Sequence, residues 1–395
     1  MKLFMGYLLV LAACGSSSSL NTGGNPDAPG SIDASVGADG GTDANASPDA
    51  STVCTADTMN DASNCGICGR SCLGGTCSMG MCTTTQLNTS DVITNVGDFT
   101  TDGVFVYYSG FTTGTSANNR VWRHVIGANT ASDYIGTVSS TTSISELAFD
   151  GSTNFYVAWT DSVNGGEVKK FNKTPFSESF VQQSLPTTNT AVFLQGSTVY
   201  WATDVLQGDA GDIKSSSTSG GSISTITANA GQVYYITGDT TNLYWVDNAG
   251  GGLQPHLRTA PIAGGATVEI AAGTADFVDM DTTYVYTMFK NTGDVVKVTK
   301  SNNSVATIAH SFTAGVAVDS TYVYGGKTNQ LVGVDKTGNA VATLWVGAPE
   351  GTMACPVTLK IGRVKVIGNY VYFLVLPTDC NNVVQANRIM RTPRL

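Results

Sequence analysis

One tyrosine recurs along most of the chain, each time after an apolar residue that follows a turn-forming cluster: Tyr107, Tyr156, Tyr200, Tyr244, Tyr286, Tyr324 and Tyr372. The six spacings are 49, 44, 44, 42, 38 and 48 residues. A unit of that length holds four short strands and three turns, the size of a propeller blade, and is too long for one coil of a solenoid. Seven anchors predict seven blades. The runs between them are short, rich in Thr, Val and Tyr and broken by Gly, Asn or Asp, without a helical period, so the body reads as all-β.

The fourth unit shows the grammar most clearly, with TGDTTNLYWVDN, then HLRTAPIAGG, then TVEIAAG, as strand and hairpin in alternation. Turns such as Asp239 to Asn242 and Asp281 to Thr283 carry residues that favour tight β connections. A tyrosine at a fixed blade position is expected to fill the space between blades rather than to hold a ligand. The first unit begins near Asp98, which leaves Thr85 to Asn95 without a blade. A strand from QLNTSDVIT is expected to pair with the last blade, ending in NRIMRTPRL, and so close the ring and remove two open edges.

Tyr244-Trp245-Val246-Asp247, the looser Tyr200-Trp201-Ala202-Thr203-Asp204, and Trp159-Thr160-Asp161 resemble the YWTD motif of LDL-receptor-type propellers and their bacterial lipoprotein relatives. In the Tyr286, Tyr324 and Tyr372 units, Thr287, Gly325 and Phe373 stand at the Trp position. The resemblance implies a propeller scaffold and, by family habit, a binding role. Fold alone does not fix function.

Residues 1–13 read as an export signal: Lys2 precedes an apolar run, Leu3 to Ala13, too short to span a bilayer. Leu11, Ala12, Ala13 and Cys14 resemble a bacterial lipoprotein lipobox, which implies lipidation of Cys14 and cleavage before it; ordinary cleavage with Cys14 left in the chain is the alternative. With Gly15 rather than Asp after Cys14, the resemblance implies delivery to the outer membrane. Residues 14–53 have no Lys, Arg or aromatic residue and five aspartates, Asp27, Asp33, Asp39, Asp43 and Asp49, and are expected to form a disordered, extended tether.

Removing Cys14 from the nine cysteines leaves eight, an even number that suits an exported chain with paired thiols. Six crowd into residues 54–82, as Cys54, Cys65, Cys68, Cys72, Cys77 and Cys82, among turn glycines and with almost no core. Disulfides are expected to hold that module, with connectivity left open by the spacing. Zinc is the competing chemistry of the Cys65/Cys68 pair, but no second such pair or nearby His completes a site. NCGICGRSCLGGTCSMGMC resembles the cysteine-rich repeats of myxobacterial surface proteins and the Stig1-type module, and implies no activity. Cys355 and Cys380 bracket a strand-like stretch and are expected to pair.

Little in residues 83–395 points to catalysis, a cofactor or a metal. There is no nucleophile elbow or zinc-binding His pair, and His124, His256 and His310 fall at unrelated repeat positions, as expected of surface or turn histidines. Gly326, Lys327 and Thr328 lack the first glycine and the helix of a phosphate loop. Asp279 and Asp281 form a D-x-D, read as a turn device before a metal site. The net charge of −10 and pI near 4.6 argue against nucleic acid. Residues 360–395 reverse that sign with one acid and six bases, Lys360, Arg363, Lys365, Arg388, Arg391 and Arg394, either a patch for an anionic polymer or solvated outer-strand charges.

The sequence therefore predicts a monomeric envelope lipoprotein: a disordered linker, a small disulfide-rich module and a seven-bladed β-propeller (83–395) acting as a non-catalytic binding module for a protein or polysaccharide. A propeller lyase or hydrolase acting on polymers, with residues scattered over loops of one ring face, and a purely structural surface protein are the alternatives.

Overall fold

A computed structural model describes residues 55–395 except 89–92, 95, 113–119, 129–132, 138–145, 162–164, 174–175, 186–187, 205–210, 249–254 and 382–384. The expectations for the signal, Cys14, the tether and Cys54 lie outside the described residues.

The repeat folds as seven antiparallel blades whose strands follow one another in chain order. Blade 1 is Phe99–Thr101, Phe105–Thr112, Arg120–Val125 and Asp133–Thr137, with Ile93–Thr94 beside the far end of the second strand. Blades 2 to 6 each have four strands and begin at Leu147–Phe149, Thr188–Gln195, Gln232–Gly238, Ala275–Met280 and Ala314–Val318. Blade 7 contains Cys355–Ile367, Tyr370–Thr378 and Arg388–Pro393, and its outermost strand is Thr85–Gln86 from the other end of the domain. Thr85 pairs with Arg391 and Gln86 with Met390, Leu87 N–H donates to Ile389 O at 2.8 Å, and the Asn88 side chain bonds Ile389 N–H and Asn387 O. The ring closes by the strand exchange that its unassigned leading segment predicted.

Each anchor tyrosine is the third residue of its blade's second strand and is at most 7% exposed. The core is divided into clusters that each join two neighbouring blades. Tyr200 packs with Val233, Ile236 and Trp245 of the next blade, Tyr286 with Val323 and Val332, and Tyr372 with Phe99 and Val106 across the closure. Successive residues of a strand face opposite blades, so Trp201, beside Tyr200, packs back on Tyr156, Val168 and Val181 of blade 2. Trp159 lies on the corresponding face but two residues further along its strand, where its indole N–H donates to Glu167 at 2.8 Å. Val157, not Trp159, occupies the Trp position of blade 2, so Trp159-Thr160-Asp161 is not a copy of the motif in blades 3 and 4.

The first turn explains the aspartate in the five blades that carry one there, Asp102, Asp150, Asp239, Asp281 and Asp319. Asp239 Oδ1 accepts the Thr241 and Asn242 N–H groups at 2.9 Å, and Asp281 and Asp319 repeat this geometry while also accepting the hydroxyls of Tyr286 and Tyr324 at 2.8 Å. A cation at the end of the third strand of the next blade, or just after it, reaches the same carboxylate: Lys173 to Asp102 and Lys300 to Asp239, both at 2.7 Å, Lys336 to Asp281, and Arg394 to Asp319 at 3.7 Å. Where the aspartate is missing, so is the cation. Blade 7 has Ile367 there and blade 1 answers with Ile126, both packed in one cluster.

The cysteine module belongs to the same compact unit, Cys54–Leu395. Cys65 bonds Cys77, Cys72 bonds Cys82, and Cys68 is also disulfide-bonded. The sulfurs of Cys65, Cys72 and Cys82 lie within 4.8 Å of one another, but the two disulfides occupy them. Arg70 is buried and donates to Pro393 O at 3.0 Å, seating the module on the last strand of blade 7. Cys355 bonds Cys380, tying the start of the inner strand of blade 7 to the end of its neighbour.

Candidate functional site

The innermost strands of all seven blades line a central cavity of about 800 Å³. Turn residues Asp102, Gly103, Gly151, Gly368 and Asn369 are in its lining, which puts the mouth on the face that carries the first hairpin turns. Counting back four residues from the turn aspartate gives Asp98 and Glu146 in blades 1 and 2, Tyr235 and Phe277 in blades 4 and 5, and Gly315 in blade 6; Arg363 holds the place in blade 7. Two residues later come Thr100, Ala148, Thr237, Asp279, Ala317 and Lys365, all paired opposite an anchor tyrosine.

Blades 3 to 7 carry a register break in the inner strand ahead of this point, between Asn189 and Val192, Val233 and Tyr235, Asp276 and Val278, Ala314 and Ala317, and Ile361 and Val364. A bulge re-aims the side chain it carries. Phe277 and Arg363 stand in the bulges of blades 5 and 7, and Tyr235 is the first residue paired after the bulge of blade 4, opposite Val246; the three meet, with the two rings stacked at a centroid distance of 4.7 Å and the guanidinium 4.6 Å from the Tyr235 ring. Phe277 has a φ of 62°, a left-handed conformation that costs a bulky residue on the order of 1–3 kcal/mol. Gly315, at the same place in blade 6, has a φ of 72° without that cost.

A belt of charge crosses the cavity beside these rings. Arg363 bonds Asp98 at 2.9 Å and Glu146 at 2.7 Å, Lys365 bonds Asp98 at 2.8 Å, and Leu147 N–H donates to Asp98 at 2.7 Å. Glu146 also accepts the Ile236 N–H of blade 4 at 3.3 Å. Burial pushes the Glu146 carboxyl up to about 7 despite Arg363, and burial lowers the Lys365 ammonium despite Asp98. Asp279 accepts Met280 N–H and the Val318 N–H of blade 6, both at 2.8 Å, and burial raises it to about 6. Its D-x-D partner Asp281 is the turn residue, held down at about 2, against its partial burial, by Lys336 and the turn N–H groups. The two aspartates are thus separate devices, one on the cavity and one on the rim.

The six basic residues of 360–395 fall in separate settings. Arg363 and Lys365 are on the inner strand in the belt just described. Arg388 makes a bidentate pair with Glu350, Arg391 lies 4.6 Å from the Tyr370 ring at the cavity wall, Arg394 reaches Asp319, and Lys360 is exposed. Of the histidines, His310 is exposed beside Asp294 and His256 pairs with Glu269 at 2.9 Å. His124 departs from the surface expectation: it is buried in the third strand of blade 1, with Nε2 3.1 Å from Ala128 O. Gly325 and Gly326 lie inside the strand Tyr322–Lys327, where a Cβ would meet Phe312 or Ile361, so these glycines serve blade packing.

Sequence reading missed Asp98, Glu146, Tyr235 and Phe277. Aligning the residues ahead of each turn aspartate would have gathered them, because the anchor fixes the register of the inner strand as well as its own.

No family model and no curated protein matches the chain. Among solved structures it is similar to the extracellular domain of a B. thetaiotaomicron protein assigned to the hybrid two-component systems, at 12% identity and TM-score 0.53, covering 79% of this chain and 40% of that one. It is also similar to a puromycin-hydrolysing peptidase of Mycobacterium tuberculosis, at 11% identity and TM-score 0.52, covering 74% and 52%. For the oligogalacturonate lyase of Vibrio parahaemolyticus the values are 11%, 0.50, 78% and 93%. At these identities the likeness is one of fold: the chain is a seven-bladed β-propeller with a disulfide-rich module at its edge.

Proposed function

We propose that this propeller is a non-catalytic binding module of an exported protein, held in the cell envelope by lipid at Cys14 and delivered to the outer membrane, and that it takes a protein or polysaccharide at the mouth of its central cavity. The observation that supports binding is the balance of the cavity itself. Of its three cations, Arg363 and Lys365 are engaged by carboxylates at 2.7–2.9 Å and Arg391 lies 4.6 Å from the Tyr370 ring, so the wall offers apolar rings beside paired charges. That mixture of apolar surface and paired charge supports recognition of a ligand.

The test is a pull-down with the full immobilised chain against fractionated envelope polysaccharides and membrane proteins, with recovered material checked for cleavage. Intact retained material is expected; retention abolished by a chelator would overturn the metal-free reading. Cys14→Ser is expected to abolish metabolic incorporation of labelled palmitate. A second reading, a lyase or hydrolase acting on polymers, has one observation in its favour: Glu146 is held near 7, where a carboxyl can both give and take a proton. Shortened polymer in the eluate, lost in Glu146→Gln, would establish it.

A further inference from the structure

The cavity wall has two chemical halves. Blades 2, 3, 5 and 6 supply Phe149, Phe193, Leu194, Phe277 and Val316, with Asp279 as the one carboxylate among them, while blades 7 and 2 supply Arg363, Lys365 and Glu146, backed by the buried Asp98 of blade 1. Between them stand hydroxyls that use no protein partner among the described residues, those of Tyr235, Thr100 and Thr237. A wall that is largely apolar on one side and offers both donors and acceptors on the other suits a molecule with C–H faces and many hydroxyls.

Charge narrows the class. An anion would either draw Arg363 or Lys365 away from Asp98 and Glu146, leaving buried carboxylates without their counter-ions, or rest on Arg391 at the Tyr370 ring in a wall that also carries Glu146 and Asp279. An uncharged ligand leaves the belt intact and uses its remaining hydrogen-bonding capacity. Phe277 adds an independent observation. The chain keeps an aromatic ring in a left-handed conformation, at a place where blade 6 uses glycine, and that ring lies in the cavity lining against Tyr235. Strain held at a cavity wall is a mark of use rather than of stability. The volume of about 800 Å³ accommodates a small saccharide.

We propose that the cavity mouth binds an uncharged sugar unit, packed against the Phe277 and Tyr235 rings, with its hydroxyls bonded by Tyr235, Thr237, Glu146 and Arg363. The inference rests on the binding reading above and supplies its ligand class; the unit comes either from a free saccharide or from the end of a neutral polysaccharide.

Calorimetric titration of the full chain with disaccharides and hexasaccharides of glucose, mannose, galactose and N-acetylglucosamine, and with the matching uronic acid oligomers, tests it. At least one neutral sugar is expected to bind, with its uronate counterpart about tenfold weaker or worse. Hexasaccharide bound at least as tightly as disaccharide assigns the site to the end of a polysaccharide, and affinity falling with length assigns it to a free saccharide. Phe277→Gly is expected to weaken binding about tenfold with the melting temperature held, because glycine accepts the backbone conformation there. Thr237→Val is the second variant, altering one hydroxyl without changing side-chain size, and is expected to weaken the same sugar. Tighter binding of uronates, no binding of any neutral sugar, or affinity unchanged in both variants would overturn the proposal. Envelope material retained intact while no neutral sugar titrates would leave the binding reading standing and remove this ligand class. Cleavage of a bound neutral sugar would keep the class and remove the non-catalytic reading.

Discussion

The rim and the cavity are built from the same seven hairpins, yet they use repetition in opposite ways. On the rim, one solution returns: a turn aspartate takes the N–H groups of its own turn and a cation from the next blade, as at Asp102 with Lys173 and Asp239 with Lys300. Blade 2 keeps the aspartate, Asp150, on its own turn N–H groups alone, blade 3 has Gln195 there, and at the closure the pair is apolar on both sides, Ile367 with Ile126. In the cavity, four residues ahead of those turns, blades 1, 2, 4, 5, 6 and 7 present Asp98, Glu146, Tyr235, Phe277, Gly315 and Arg363, no two alike. The difference follows from geometry. Every rim site faces an equivalent neighbour, so the same pair can serve at several interfaces, as it does at four. All cavity positions face one axis, where seven like charges would repel and seven large rings would collide. Repetition marks the scaffold, and its absence marks the site.

That contrast can be broken or sharpened by measurement. The largest effect is expected from the closure. A chain starting at residue 98 loses a paired strand and the buried Leu87 and Asn88 together, and should be destabilised by about 5 kcal/mol in denaturant unfolding relative to one starting at 83. Equal stability would show that the ring does not depend on its exchanged strand. Next, Trp201→Ala removes a fully buried ring from between blades 2 and 3, with an expected loss of about 3–5 kcal/mol.

The rim pair should follow at about 1–3 kcal/mol for Asp281→Ala, which strands Lys336 and the Tyr286 hydroxyl. The comparison predicts more: Asp281→Ile with Lys336→Ile, which copies the blade 7 and blade 1 pair, should be more stable than either single change. If the double variant loses the sum of the two singles, the pair is not the interchangeable unit described here.

The cavity carboxyls give the opposite pH dependence to the rim. Glu146 has a folded pKa raised from 4.5 to about 7, so the native state binds more protons than the unfolded one in that window, and stability falls as pH rises through it. The slope is worth on the order of 1–3 kcal/mol and should flatten in Glu146→Gln, read as melting temperature against pH. Asp281 runs the other way: its folded value of about 2 lies below the ordinary 3.8, so its contribution is present above 3.8 and lost as pH falls through about 2. The smallest effect is expected for Phe277→Gly, within about 1 kcal/mol of the wild type, because relief of strain offsets lost packing.

Much of the scaffold was legible because it is periodic. The tyrosine spacing gave the blade count, the turn aspartates marked the first hairpin of most blades, and the orphan segment before Asp98 pointed to the closing strand. The cysteines were legible as a count, and Cys355 with Cys380 as a pair. The rim lysines were not singled out, since each contacts an aspartate 55 to 71 residues away and has no local signature. Arg363 and Lys365 could be read only as members of a basic tail, because their carboxylate partners lie 217 and 267 residues distant. Trp159 misled by local similarity: its neighbours spell the motif, but the register of its strand places it two residues beyond the repeat position.

By itself the sequence determined the unit, its number and the way the ring closes, because those depend on hydrophobic period, turn chemistry and leftover segments, all local to a stretch of chain. Only the tertiary structure decided the site. Closing seven unlike inner strands around one axis brings Asp98, Glu146, Tyr235, Phe277 and Arg363 within bonding distance, and the burial that closure creates is what moves Glu146 to about 7. Neither the juxtaposition nor the loss of water is encoded near any of these residues.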